Sequence, residues 1–112
     1  MKPLPLLLAT LALALSPMGH AQPNPAQIDW VRVDSFEIAR TETTVAQFAR
    51  YAQAKQVLTQ AERTGGGLVY EDGWRQKPGW NWRTPMGTQR HDQWPAVHLD
   101  FDEAQAFCAW AG

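Results

Sequence analysis

Cysteine is almost missing from this 112-residue sequence: with Cys108 alone, no intrachain disulfide can form, and the stapled frameworks common among small exported domains are excluded. Charge of one sign is missing too. Ten Lys and Arg stand against eleven Asp and Glu, a formal net charge of −1, which gives no electrostatic footprint for nucleic acid or an anionic membrane. No stretch approaches the roughly 20 consecutive apolar residues of a membrane-spanning helix. Gly65-Gly66-Gly67 lacks the Gly-Lys-Ser/Thr ending of a phosphate-binding loop. No serine, histidine and acid combination has a spacing that points to hydrolysis.

What is present begins with a compartment signal. Lys2 precedes an apolar run over residues 4–15, and Gly19-His20-Ala21 offers small residues where a signal peptidase reads, so residues 1–21 are expected to be a secretory signal peptide. No cysteine follows the run, and a lipoprotein anchor is not indicated. Cleavage after Ala21 would leave about 90 residues, enough for one small domain. The expected location is periplasmic or secreted, with no membrane association after cleavage. Cys108 is then a buried apolar residue, a link to another chain, or the counterpart of something outside this sequence.

Residues 22–34 are expected to form a proline-bearing linker and a first strand, and residues 35–112 the domain proper. Trp30, Val31, Val33, Phe36 and Ile38 predict two short strands meeting near Asp34-Ser35, the second half-buried with Phe36 and Ile38 on one face and Glu37 on the other. Thr44 and Gln47 form a capping box, and Val45, Phe48, Ala49 and Ala52 recur at helical spacing, predicting a helix from Val45 to Lys55. Residues 60–87 show no periodicity beyond a short strand at Leu68-Val69-Tyr70. Glycine and proline punctuate this stretch, and its four aromatics argue for order. A last helix starts at Asp100, with Glu103 at the reciprocal capping-box position and Gly112 at its end. Ala104, Phe107, Cys108 and Ala111 line one face of it, with Trp110 beside them. That aromatic surface, Phe107 through Trp110, is expected to lack a covering element, as in an incomplete domain.

Two readings attach to GWNWRTPMG, residues 79–87. As a ligand platform, Trp80, Trp82 and Arg83 are the candidate substrate-contacting residues, with Tyr70 beside them. As a framework, Trp82 and Arg83 pin an irregular loop to the domain body, and this is the preferred reading. His91, Asp92, His98, Asp100 and Asp102 invite a metal site, but Asp100 is better used as a helix cap and the others lack ligand spacing. No metal ligands are assigned.

In order, Glu42-Thr43-Thr44, then Asn81-Trp82-Arg83 with Pro85 and Gly87, then Pro95, Val97, Leu99, Asp100, Phe101, Glu103, Ala104, Phe107, Cys108 and Trp110 resemble motifs of the formylglycine-generating enzyme (sulfatase-modifying factor) superfamily. The last block departs from the family pattern at Asp100, where serine is usual, and at Phe101, where tryptophan is. The resemblance covers Ser35 to Gly112. It implies an α+β, C-type-lectin-like, loop-rich domain, represented here by its N-terminal part. It also implies relatives that oxidise a substrate cysteine with two copper-holding cysteines and that carry calcium loops. Cys108 matches a framework position, so no catalytic residue and no cofactor are assigned to this chain, and its expected partners are a protein or peptide substrate and the missing C-terminal half. The alternative is a non-catalytic peptide- or carbohydrate-binding module.

Overall fold

The computed structural model describes residues 23–112; the expected signal peptide lies outside them. Strands β1 (Trp30–Val33) and β2 (Phe36–Ala39) form an antiparallel hairpin whose turn places Asp34 at φ 50°, a conformation that aspartate tolerates. Its register pairs Val33 with Phe36 and Val31 with Ile38 on one face, and Trp30 with Ala39 on the other. The predicted partition of Phe36 and Ile38 from Glu37 holds, but their burial does not. Trp30 and Ala39 pack on the core, while Phe36 and Ile38 are 55% and 53% exposed. The more apolar face points outward because the Trp30 side is the one packed on the core.

Helix α1 (Val45–Lys55) starts and stops as its sequence dictates. Thr44 accepts from the Gln47 amide at 3.1 Å, and the Gln47 side chain accepts from the Thr44 amide at 3.0 Å. Two further free amides of the first turn, Val45 and Ala46, donate to the carbonyls of Trp94 and Asp92 at 2.7 and 3.0 Å, and Ala96 donates back to Thr43 at 2.8 Å. The extended segment after the aromatic loop is thereby fixed along the helix entrance.

Three elements lie in residues 60–87, where only a short strand was expected. Helix α2 (Gln60–Thr64) is one turn, opened by a Thr59 and Glu62 capping box and closed by Gly65 at φ 91°. Strands β3 (Gly66–Tyr70) and β4 (Trp74–Pro78) form a second antiparallel hairpin. β3 extends the expected Leu68-Val69-Tyr70 strand by two glycines. Five residues are too few for a periodic signal in α2, and β4, WRQKP, has no apolar alternation to mark it, being exposed except at half-buried Lys77.

Helix α3 (Phe101–Ala111) packs on α1, and the two share an aromatic core. Phe48, fully buried, stands 4.9 Å from Trp82, 5.5 Å from Tyr51 and 5.7 Å from Phe107, centroid to centroid. Tyr51 also covers Trp110 at 5.4 Å. The two rings of that surface, Phe107 and Trp110, are thus met by α1, against expectation, the first buried and the second half-buried, while the side of α3 carrying Ala104 and the free thiol of Cys108 is open. The capping is also half of what the sequence suggests. Asp100 accepts from the Glu103 amide at 2.7 Å, but the Glu103 carboxylate turns to the free amide of Gln60 at 3.1 Å, joining the starts of α2 and α3.

Gly67 marks a close approach between β3 and a side chain. A Cβ there would fall into the ring of His98, a residue at φ 58° whose Nε2 lies 2.8 Å from the Pro85 carbonyl. Gly67→Ala is expected to cost about 1–3 kcal/mol through overpacking. His98→Ala in the same background should recover more than half of the loss, as read from denaturation midpoints; an additive double mutant would remove the clash from the explanation.

Candidate functional site

The aromatic loop is built around a carboxylate that lies outside it. Residues 79–87 are shaped locally by Asn81, whose side-chain oxygen accepts from the amides of Arg83 and Thr84 at 2.8 and 3.2 Å, and by the Thr84 hydroxyl, which donates to the Gly79 carbonyl at 2.8 Å. This turn sends Trp82 inward, where it has no exposed surface, and its Nε1–H donates to Glu62 at 3.2 Å. Arg83 donates through Nε to the other oxygen of Glu62 at 3.0 Å, with its guanidinium 4.4 Å from the Trp82 ring centroid. Thr59 completes the set, donating to Glu62 from its amide at 2.9 Å and its hydroxyl at 3.0 Å.

Glu62 carried no functional signal in the sequence, although Thr59-Gln60-Ala61-Glu62 has the spacing of a capping box. Burial pushes its carboxyl upward, but the bonds from the Thr59 amide, Arg83, the Thr59 hydroxyl and Trp82 together hold it below the ordinary 4.5.

The structure therefore brings Trp82 and Arg83 together on Glu62. Trp82 has no face to offer a ligand, and Arg83 already engages a carboxylate of this chain. Trp80 sits elsewhere: it is half-buried, 6.0 Å from the His98 ring, beneath Lys77 at 5.7 Å, and its carbonyl accepts from the Gly67 amide at 2.6 Å. Tyr70 lies on the outer face of the β3–β4 hairpin with Trp74 as its ring partner, at 5.6 Å edge to face. These two rings are 70% and 73% exposed.

Below that hairpin, a cleft of about 430 Å³ is lined by Leu68, Gln76, His98, Leu99, Asp100 and Glu103. The Oε2 atom of Glu103 is buried there without a hydrogen-bond partner. Burial raises its pKa above 4.5, and the side chain and charge of Asp100 raise it further, outweighing the Gln60 amide and Arg63. Along the open side of α3 runs a groove of about 580 Å³ that includes Val97, Ala104 and Cys108. Among the described residues, no three His, Cys, Asp or Glu side chains converge to hold a metal ion, and His91, Asp92, His98, Asp100 and Asp102 do not form one cluster.

Comparison with known proteins places this geometry in context. Residues 14–112 match the family described as the sulfatase-modifying factor enzyme 1-like domain. The chain is 29% identical to a formylglycine-generating enzyme of Bos taurus, over 73% of this chain and 28% of that protein. It is 27% identical to one of Streptomyces coelicolor, over 84% of this chain and 37% of the relative. It is also 28% identical to an inactive C-alpha-formylglycine-generating enzyme 2 of Mus musculus, over 87% and 38%. The chain spans between 28% and 38% of the length of these relatives.

Opposite pH responses are expected from the two glutamates. The depressed pKa of Glu62 supplies stability that is present above pH 4.5 and is lost as pH falls through the folded value; Glu62→Gln should flatten this acid limb and, by weakening bonds to Trp82 and Arg83, cost about 1–3 kcal/mol at neutral pH. The raised pKa of Glu103 has the reverse sign, because its folded form holds the proton more tightly and stability falls as pH rises from 4.5 through the raised value. Glu103→Gln should then stabilise the chain at pH 7 and lose that advantage toward pH 4. Denaturant titrations across this range check both; a wild-type acid limb unchanged in Glu62→Gln would exclude the first.

Proposed function

Because the chain belongs to the sulfatase-modifying factor enzyme 1-like family, we propose that it supplies part of a formylglycine-generating-type domain in an exported protein, as scaffold rather than oxidising centre. The observation that carries this reading is the composition of its thiols. A bis-thiolate copper site needs two sulfur ligands, and this sequence holds one, on an exposed helical face. The residues present do not fit copper, nor does any cluster among the described residues fit calcium. What the chain does supply is an anchored aromatic loop: Trp82 in the core and Arg83 on Glu62 fix the Asn81-Trp82-Arg83 turn. The C-type-lectin-like arrangement of the family would use that turn as framework.

Export rests on the charged start and apolar run of residues 2–21, which points to a periplasmic or secreted protein acting on exported protein or peptide substrates. Among the described residues, no helix is long and apolar enough to cross a membrane.

One observation favours a second reading. Tyr70 and Trp74 form an exposed edge-to-face pair, a surface suited to stacking on a sugar ring or a peptide side chain. One relative is itself named inactive, so membership of the family does not bring oxidase activity with it. On this reading the chain is a non-catalytic binding module.

Incubation of the purified 112-residue chain with a cysteine-containing substrate peptide, copper and oxygen is expected to give no formylglycine above a protein-free blank, as followed by peptide mass. Aldehyde formation at a rate dependent on this chain would overturn the scaffold assignment. Binding of glycans or peptides that is abolished by Trp74→Ala would favour the second reading over the first.

A further inference from the structure

Two arginines share a pocket that has no carboxylate in its lining. The pocket, about 460 Å³, lies where the end of α1 meets the chain beyond Trp82. Ala49, Ala52, Gln53 and Gln56 line it from α1, at the spacing of one helical stripe, and Arg83 and Arg90 line it from the later segment. Each arginine is held by one edge. Arg83 donates through Nε to Glu62 at 3.0 Å and lies over the Trp82 ring, and Arg90 donates through Nε to Asp92 at 3.0 Å. Among the described residues, the terminal nitrogens of both guanidiniums and the side-chain amide of Gln53 make no hydrogen bond. A guanidinium bonded through Nε keeps a second fork, the Nη1–Nη2 edge, whose two parallel N–H groups match a carboxylate.

The character of the ligand follows from what surrounds these donors. Glu62 and Asp92 offset the two arginine charges, so the net attraction left is small and suits a monoanion better than a doubly charged phosphate. The end of α1 acts in the same direction, because its last carbonyls disfavour concentrated negative charge. Two of them are already satisfied: Ala52 accepts from the Gln56 and Val57 amides, and Gln53 accepts from the Gln56 side chain. Val57 and Leu58, the latter 55% exposed, add an aliphatic wall. The volume exceeds that of a bare ion and falls within the roughly 300–1,000 Å³ of small-molecule sites. We propose that this pocket binds a carboxylate carried on a short aliphatic group. The carboxylate accepts from the terminal edges of Arg83 and Arg90, and the aliphatic group lies against Leu58 and Ala49. Glu62 and the Trp82 ring fix Arg83 before the ligand arrives, so little side-chain freedom is lost there on binding. Two sources carry this chemistry, a free aliphatic acid and the C-terminal residue of a peptide. The site stands under either reading of the domain given above.

The test is an NMR chemical-shift titration of the full-length gene product, its fold checked by near-ultraviolet dichroism, with pentanoate, N-acetyl-leucine, pentanamide and inorganic phosphate. Pentanoate or N-acetyl-leucine is expected to shift the amides of Gln53, Leu58 and Arg90 saturably, and the tighter of the two identifies the free acid or the peptide terminus as the source. Pentanamide, of the same shape without the charge, should bind at least about tenfold more weakly. Arg90→Gln should weaken the better acid about tenfold by removing one fork. Gln53→Glu, at an exposed position of α1, should weaken it by a similar factor of about ten through like-charge repulsion. Arg90 also ties down Asp92, so Gln53→Glu decides the matter if Arg90→Gln does not fold. Equal binding of pentanamide would overturn the proposal. So would phosphate binding more tightly than either acid, an affinity unchanged in Gln53→Glu, or the absence of a saturable shift at these amides.

Discussion

One carboxylate holds the irregular half of this chain to the regular half. Glu62 receives the Thr59 amide and hydroxyl, the Trp82 indole N–H and the Arg83 guanidinium. Residues 79–87 are tied to the start of β3 only through Gly79 and Trp80, so the turn beyond them depends on where Trp82 and Arg83 are held. The buried indole then meets Phe48, and Phe48 meets Phe107, so the same contact sets the loop relative to both long helices. A charge with only 9% of its side-chain surface exposed is tolerable because donors surround it. The arrangement is correspondingly sensitive. Removing the carboxylate leaves Trp82 and Arg83 as unpaired donors at the point where the loop joins the core.

The sequence made some of this visible and hid the rest for identifiable reasons. α1 was readable from end to end because a capping box, an apolar stripe and a terminal lysine agree on the same 11 residues. The β1–β2 hairpin was readable as strands, since alternation survives in short segments, but which face would be covered depends on contacts that alternation does not encode. α2 is too short for periodicity, yet its Thr59-x-x-Glu62 signal was present and pointed to the residue on which the loop depends. β4 turns Gln76 and Lys77, not apolar side chains, toward the body and so leaves no hydrophobic pattern to find. The anchor role of Trp82 followed from the entropy of a long loop, whereas its carboxylate partner, 20 residues earlier, was beyond any local reading.

Glu103 shows how a correct local rule yields to a tertiary one. Its position three residues after Asp100 suits a reciprocal cap, but the first amide of α2 competes for the same carboxylate and wins it. The trade links the first turns of two helices through residues 43 apart in the chain and leaves Oε2 buried without a partner. Such an oxygen raises the cost of ionisation and makes this junction, unlike the one at Glu62, stronger in acid than at neutrality.

The apolar surfaces that remain open follow a rule of their own. Phe36 and Ile38 on β2, and Ala104 and Cys108 on α3, occupy the positions that periodicity assigns to an interior, and each lies on an element whose other face already meets the core. Scattered exposed apolar residues would be ordinary on any protein surface. Residues that keep the spacing of a core while facing outward are different, because random exposure has no reason to preserve a helical or two-residue repeat on both elements. The pattern is that of a two-sided layer with one side occupied among the described residues, helix on helix being satisfied at Phe48 and Phe107.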